Sequence, residues 1–222
     1  PQQVLASRPQ LGLDASQVLY VSGRLEQAEK LIGQAEQSLH SLPEDPNTRS
    51  LLALASLYRG LIAAVRGQAQ QAIDLILAAQ PQISQGNHLA QARAYYGLGQ
   101  AHQHSGDTSK ANEFFLKARD ESLSAGILYA AVHASCIAAK AQITQGSLTL
   151  AEETCRTAIN LAAGEQMPIL GLAWSILGYI SLERNNLEKA EPLLEEGISL
   201  SRQGNLLDDL AGGLTLSLIH IS

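Results

Sequence analysis

Five segments of this 222-residue chain are versions of one sequence, and a segment recurring at a fixed spacing restricts the fold more than composition does. "GRLEQAEKLIGQA", "GQAQQAIDLILAA", "GDTSKANEFFLKA", "GSLTLAEETCRTA" and "NNLEKAEPLLEEG" begin at Gly23, Gly67, Gly106, Gly146 and Asn185, spaced by 44, 39, 40 and 39 residues. Five residues after each anchor stands an alanine: Ala28, Ala72, Ala111, Ala151 and Ala190. The chain holds 32 alanines, so five matches in one column are far beyond accident.

Nine residues after the anchor comes a larger apolar side chain (Ile32, Ile76, Phe115, Cys155, Leu194), and twelve after it a small one (Ala35, Ala79, Ala118, Ala158, Gly197). Steps of four and three put these positions on one helical face. Seven residues before the anchor stand Ser16, Gly60, Gly99, Ala139 and Gly178, small residues that let a first helix cross a second closely. Each unit therefore reads as a helix hairpin. The anchor Gly or Asn tolerates the left-handed conformation that ends the first helix, and a following Asp, Ser or Asn is expected to cap the second. One hairpin cannot cover its own apolar face, so the units stack. The expected fold is all-α, a right-handed α-solenoid with a period of about 40 residues, forming a single array over 1–222 whose sixth unit, from about 206, is incomplete.

Composition agrees. Hydrophobic residues make up 45% of the chain and aromatics only 4%, so a core must be built from small side chains. Lys and Arg number 15 against 21 Asp and Glu, a net charge of −6 that offers phosphate backbones no attraction; direct nucleic-acid binding by this segment is not expected. Two cysteines, Cys136 and Cys155, cannot make a disulfide framework, which points to a reducing, cytoplasmic setting. No uninterrupted run reaches the roughly 18 apolar residues a membrane helix needs.

The columns resemble the tetratricopeptide repeat. The copy nearest to that motif is "WSILGYISLERNNLEKAEPLLEEGISL", where Trp174, Leu177, Gly178 and Ala190 fall in its register. The period departs from the usual 34 residues, which implies longer helices or connections. With the opening "RPQLGLDASQVLYVSGRLEQAEKLIGQAEQSL", it resembles the helical-repeat region of the large ATP-dependent LuxR-type transcription regulators, the maltose-regulon activator family. The resemblance implies an ATP-binding switch module before the repeats and a helix-turn-helix module after them. No GxxxxGK[ST] phosphate loop occurs here, so this segment is expected to need no cofactor, with ATP confined to an upstream module.

Pro43 and Pro46 in "SLHSLPEDPNTRS" mark the longest expected connection and the best candidate for a mobile loop. Pro168 is placed to open a helix, whereas Pro192 falls inside one and should kink it. The start at Pro1 without methionine and the repeat cut short near 206 suggest a fragment. The closing "LSLIHIS", residues 216–222, resembles translated adapter sequence, so no role is read from His220.

No nucleophile with a base, carboxylate pair or metal set can be assembled from the spacing, and the segment is expected to be non-catalytic. His102 and His104 are two apart and point to different helix faces. Cys155 and Trp174 fall in packing columns, and the acidic "AEET" and "LLEEG" read as solvated faces. What is left is the inner surface of the array, lined by first-helix residues outside the packing columns. Projecting the register gives a ligand or partner groove of Tyr20, Arg93, Tyr96, Gln100, Gln103, His133, Lys140 and Tyr179, with Gln17, Leu57, Leu61, Cys136 and Ser175 beside them. Amides and a guanidinium donate directional hydrogen bonds and tyrosine offers a stacking face, which suits a small polar ligand or a peptide.

Two readings follow. In the first, implied by the resemblance, the segment senses a signal by binding a small-molecule inducer or a regulatory protein on its concave face, and contacts neighbouring modules of the same regulator. In the second it is a free-standing adaptor holding a partner peptide. A groove that clamps a peptide carboxylate wants several cationic residues in adjacent units, and only Arg93 and Lys140 stand at inner positions.

Overall fold

The computed structural model describes residues 8–162, 164–165 and 167–204; the partial sixth unit and the 216–222 tail lie outside them. Among the described residues there are ten α-helices and no strand. They are α1 (Pro9–Val21), α2 (Leu25–His40), α3 (Pro46–Val65), α4 (Ala69–Ala79), α5 (His88–His104), α6 (Thr108–Ser124), α7 (Leu128–Thr144), α8 (Leu148–Leu161), α9 (Leu170–Glu183) and α10 (Leu187–Gln203), with a 3-10 turn at Gln80–Gln82. They fall into two compact units, Pro1–Asp107 and Thr108–Ser222.

In the first unit α1 pairs with α2 and α3 with α4, α2 packs against α3, and α4 against α5. In the second, α6 packs against α7, α7 pairs with α8 and α9 with α10, and α8 packs against α9. The packing columns do what their spacing predicts. The three second-helix columns are buried in all five repeats, and so are Ser16, Gly60, Gly99, Ala139 and Gly178. A methyl added to Gly60 would lie 2.6 Å from Ile76 Cγ1, and one added to Gly178 2.6 Å from Leu194 Cγ. Glycine is there because the helices approach too closely for any side chain.

All five anchors adopt positive φ, from 73° to 83° at the glycines and 56° at Asn185. Behind each, the next residue's N–H reaches back five residues, as from Arg24 to Leu19 O at 2.8 Å and from Asn186 to Ser181 O at 2.9 Å. This is the bond that closes a Schellman motif and satisfies the helix's last carbonyls. Capping of the second helices is less regular than expected. Asn186 Oδ1 accepts from Lys189 N–H at 3.2 Å, but Ser147 makes no side-chain cap bond. Its ψ of 59° is far from the extended geometry of Asp45, whose ψ is 170° and whose Oδ1 accepts from Thr48 N–H at 2.7 Å.

The long period comes from helix length. Around α5 and α6, two 17-residue helices with three-residue turns fill it. The stretch around Pro43 and Pro46 is not the longest connection, contrary to expectation. Pro46 opens α3, which at 20 residues absorbs the insertion, and only residues 41–45 lie between helices. The longer connections are 80–87 and 162–169. Pro168 precedes α9 by one turn, its carbonyl accepting from Gly171 N–H at 3.0 Å, and α10 continues through Pro192. By length and composition α3 could cross a membrane, but 61% of its apolar window is buried inside the fold, as in a core helix.

Candidate functional site

In the first unit α1, α3 and α5 lie side by side and bring together two of the residues projected from the register with one that was not. Arg93 Nη1 donates to Tyr58 Oη at 3.2 Å, and its guanidinium carbon stands 6.0 Å from the Tyr58 ring centroid. That geometry combines a hydrogen bond with cation–π attraction. Burial pushes the Tyr58 phenol above its ordinary value, against the pull of the Arg93 charge, and Asp14 raises it further. The Tyr20 phenol is raised in the same way, by burial first, with Arg93 opposing. Both phenols are therefore neutral at physiological pH and can donate or accept. Among the described residues Arg93 has no acidic partner.

Two amides extend this face. Gln17 lies one turn before Tyr20 on α1, and Gln100 two turns after Arg93 on α5. The Oε1 atom of each is buried without a hydrogen-bond partner, a costly state that a donor from elsewhere would relieve. Tyr96 is half-buried on α5, and Gln103 is exposed at the end of that helix.

In the second unit His133 and Tyr179 are half-buried and Lys140 is exposed. Tyr179 bonds to the Glu183 carboxylate one turn on, which holds its phenol proton and raises its pKa.

Four neighbouring positions do not line a groove. Leu57, Leu61, Cys136 and Ser175 are all buried. Three of them stand ten residues before the anchor, one turn ahead of the small-residue crossing, and so face the second helix of their own hairpin. Leu61 lies over Gly97, where an added methyl would meet its Cδ2 at 2.5 Å. Ser175 lies against Gly197 at the α9–α10 crossing. The register reading missed Tyr58 because it took the inner stripe of α3 through Leu57 and Leu61. The available signal was Tyr58 itself, a phenol in an otherwise apolar turn.

The other chemistry is structural. Cys155 is fully buried and burial pushes its thiol up to about 12, so it is inert at neutral pH. Trp174 packs partly buried against the core of the second unit. Among the described residues no three His, Cys, Asp or Glu side chains gather as a metal ligand set.

Comparison with known proteins agrees with this architecture. No curated protein matches the chain. Among solved structures, the apo form of RapI superposes with a TM-score of 0.71 at 12% identity, over 89% of this chain and 71% of that one. The Rap conjugation gene regulator of plasmid pLS20, in complex with the Phr* peptide, gives 0.70 at 19% identity over 94% of this chain, which spans 57% of that regulator's length. A Podosopora anserina kinesin light chain of nearly identical TPR-like repeats gives 0.60 at 17% identity, over 90% and 97% of the two chains. At these identities the likeness is one of fold, a TPR-like helical-repeat solenoid. The model of the MalT-like TPR region matches residues 53–222, the greater part of the repeats. With its anchored hairpins and lengthened period, the chain belongs to the family of MalT-like TPR regions.

Proposed function

We propose that this chain is the signal-receiving, protein-interaction segment of a LuxR-type transcription regulator, and that its first unit receives the signal where Tyr20, Tyr58 and Arg93 meet. The observation that carries this reading is Arg93 itself, held by Tyr58 and unpaired with any carboxylate among the described residues. A guanidinium positioned by aromatic neighbours recognises a ligand's acceptor oxygens, while the rings take its flat or apolar parts. The buried Gln17 and Gln100 oxygens add acceptors for ligand N–H or O–H groups. A similar array, the pLS20 Rap regulator, is seen holding a peptide, which supports a peptide or a compact polar inducer as the ligand class.

Tyr96, Gln100 and Gln103 continue this surface in the reading, and His133, Lys140 and Tyr179 supply a corresponding one in the second unit. The segment acts without catalysis, cofactor or nucleic acid in the cytoplasm, as one repeat array within a larger regulator. A ligand shifts such an array only by preferring one of its states, and coupling of about 1–3 kcal/mol is typical.

The test is a thermal-shift panel of five- and six-residue peptides and short oligosaccharides, with the strongest binder titrated into Arg93→Ala and Tyr58→Phe variants. Affinity at least about tenfold weaker in Arg93→Ala, about 1.4 kcal/mol, supports the site; unchanged affinity in both variants removes it. The surrounding coding frame tests the regulator reading. A phosphate-loop module upstream and a helix-turn-helix downstream support it, and a frame encoding repeats alone favours a free-standing adaptor.

A further inference from the structure

Comparing the five first helices position by position isolates one uncovered face. Five residues before the anchor, α3, α5, α7 and α9 carry Ile62, Ala101, Ala141 and Ile180, none more than 2% exposed. Twelve before it they carry Ala55, Ala94, Ala134 and Ala173, none more than 1% exposed. At the same two positions α1 carries Val18 and Leu11, which are 66% and 42% exposed. The residues are larger than alanine, apolar and in water.

What covers this stripe elsewhere is visible in the first unit. Arg59 and Arg66 of α3 bond to Glu36 and Glu29 of α2, so the stripe Ala55–Arg59–Ile62–Arg66, stepping by four and three, faces the preceding second helix. In the second unit Arg184 of α9 bonds to Glu152 of α8 from the same side. The corresponding stripe on α1 is Leu11, Ala15, Val18 and Ser22.

We infer that this face of α1 docks an amphipathic helix of the array's own second-helix chemistry: alanine, a larger apolar residue four positions on, and a small residue three beyond that. Independently of any ligand in the first unit, the inference rests on the equivalence of α1 with four helices whose same columns are covered. Ser22 identifies the closest relative of the missing interface. It occupies the column of Ser105 in α5, and the helix packed against α5 is α4, which carries Ala72, Ile76 and Ala79 on its inner face. Unlike Arg66 and Arg184, Ser22 requires no carboxylate from its partner.

The experiment fuses a second copy of residues 67–87 ahead of Pro1 of the full chain and compares its melting with a fusion of equal length built from Gly and Ser. The tether supplies the helix at high effective concentration. Expected is a melting temperature at least about 2–4 °C above the Gly–Ser fusion, and loss of that increment in Val18→Glu or Leu11→Glu, whose side chains are too exposed to disturb the parent fold. Equal melting of the two fusions overturns the inference, as does an increment that survives both substitutions. If the unmodified chain is dimeric and Val18→Glu makes it monomeric, the face belongs to a second copy and the inference is also overturned.

Discussion

Arg184 in α9 donates to Glu152 in α8 from the same repeat positions at which Arg66 in α3 donates to Glu29 in α2. Each arginine directly precedes its anchor, Asn185 or Gly67, and each glutamate stands six residues after the previous one, Gly146 or Gly23. The pair clips a first helix to the second helix before it. The unit boundaries of the sequence therefore carry charge complementarity as well as the small-residue columns.

Glu152 also accepts from Arg156 at 2.8 Å, and the bonds from Arg184 and then Arg156 hold its carboxyl below its ordinary value. A carboxylate depressed in the folded state stabilises above its unfolded pKa, and that contribution is lost as pH falls through the folded one. Both arginines are largely solvated, so Glu152→Gln should cost only about 0.5 kcal/mol at pH 7, a drop of roughly 1–2 °C. The gap between wild type and variant should close at pH 3 and shrink in 1 M salt. A gap that is the same at pH 7 and pH 3 would mean that charge does not act here.

Two helical glycines should respond in opposite directions. At Gly178 a methyl would press on Leu194 at 2.6 Å inside a closed crossing, so Gly178→Ala should destabilise by about 1–3 kcal/mol through overpacking. Gly33, inside α2, leaves room: the nearest atom to an added methyl is Arg59 Nη2 at an ordinary 3.5 Å. Gly33→Ala should gain up to about 1 kcal/mol from helix propensity. Denaturant melts of the two variants separate these outcomes, and destabilisation by both would mean that α2 lies closer to α3 than its glycine indicates.

The sequence made the hairpins legible because their determinants are local and repeated five times. Ala28 and its equivalents mark crossings, and Gly23 to Asn185 mark the turns, each by a requirement of shape that few residues satisfy. The functional face was legible only in part. Tyr20 and Arg93 were placed by counting from the anchors, yet the same count put Leu57, Leu61, Cys136 and Ser175 in a groove when they are core. A helix rotates 100° per residue, so the count cannot say which of two adjacent positions is covered when both are apolar. Tyr58 was lost for that reason. The insertion at Pro43 misled similarly, since a proline pair that reads as loop also opens a helix once Pro46 takes its first position.

Asn185 is the one described non-glycine residue with positive φ, and asparagine tolerates this conformation better than alanine does. Asn185→Gly should leave stability unchanged or raise it slightly, whereas Asn185→Ala should lower it by roughly 1 kcal/mol. Melting curves of both variants check the order, and an alanine variant as stable as glycine would show that the turn readjusts.

The second unit holds a polar connection inside its core, and its removal gives a sharper test of packing. Gln142 of α7 is fully buried; its Nε2 donates to Asn112 Oδ1 of α6 at 3.0 Å, and its Oε1 accepts from Thr154 Oγ1 of α8 at 3.0 Å. One amide thus joins three helices with both ends satisfied. Thr154→Val keeps the shape but takes the donor from the Gln142 oxygen, and an unsatisfied buried acceptor costs about 1–3 kcal/mol. The double variant Thr154→Val with Gln142→Leu removes both buried partners and should recover part of that loss, since an apolar pair needs no bond, although Asn112 then loses its donor. A denaturant melt in which the double variant is weaker by the full sum of the single losses would show that the two residues do not act through each other.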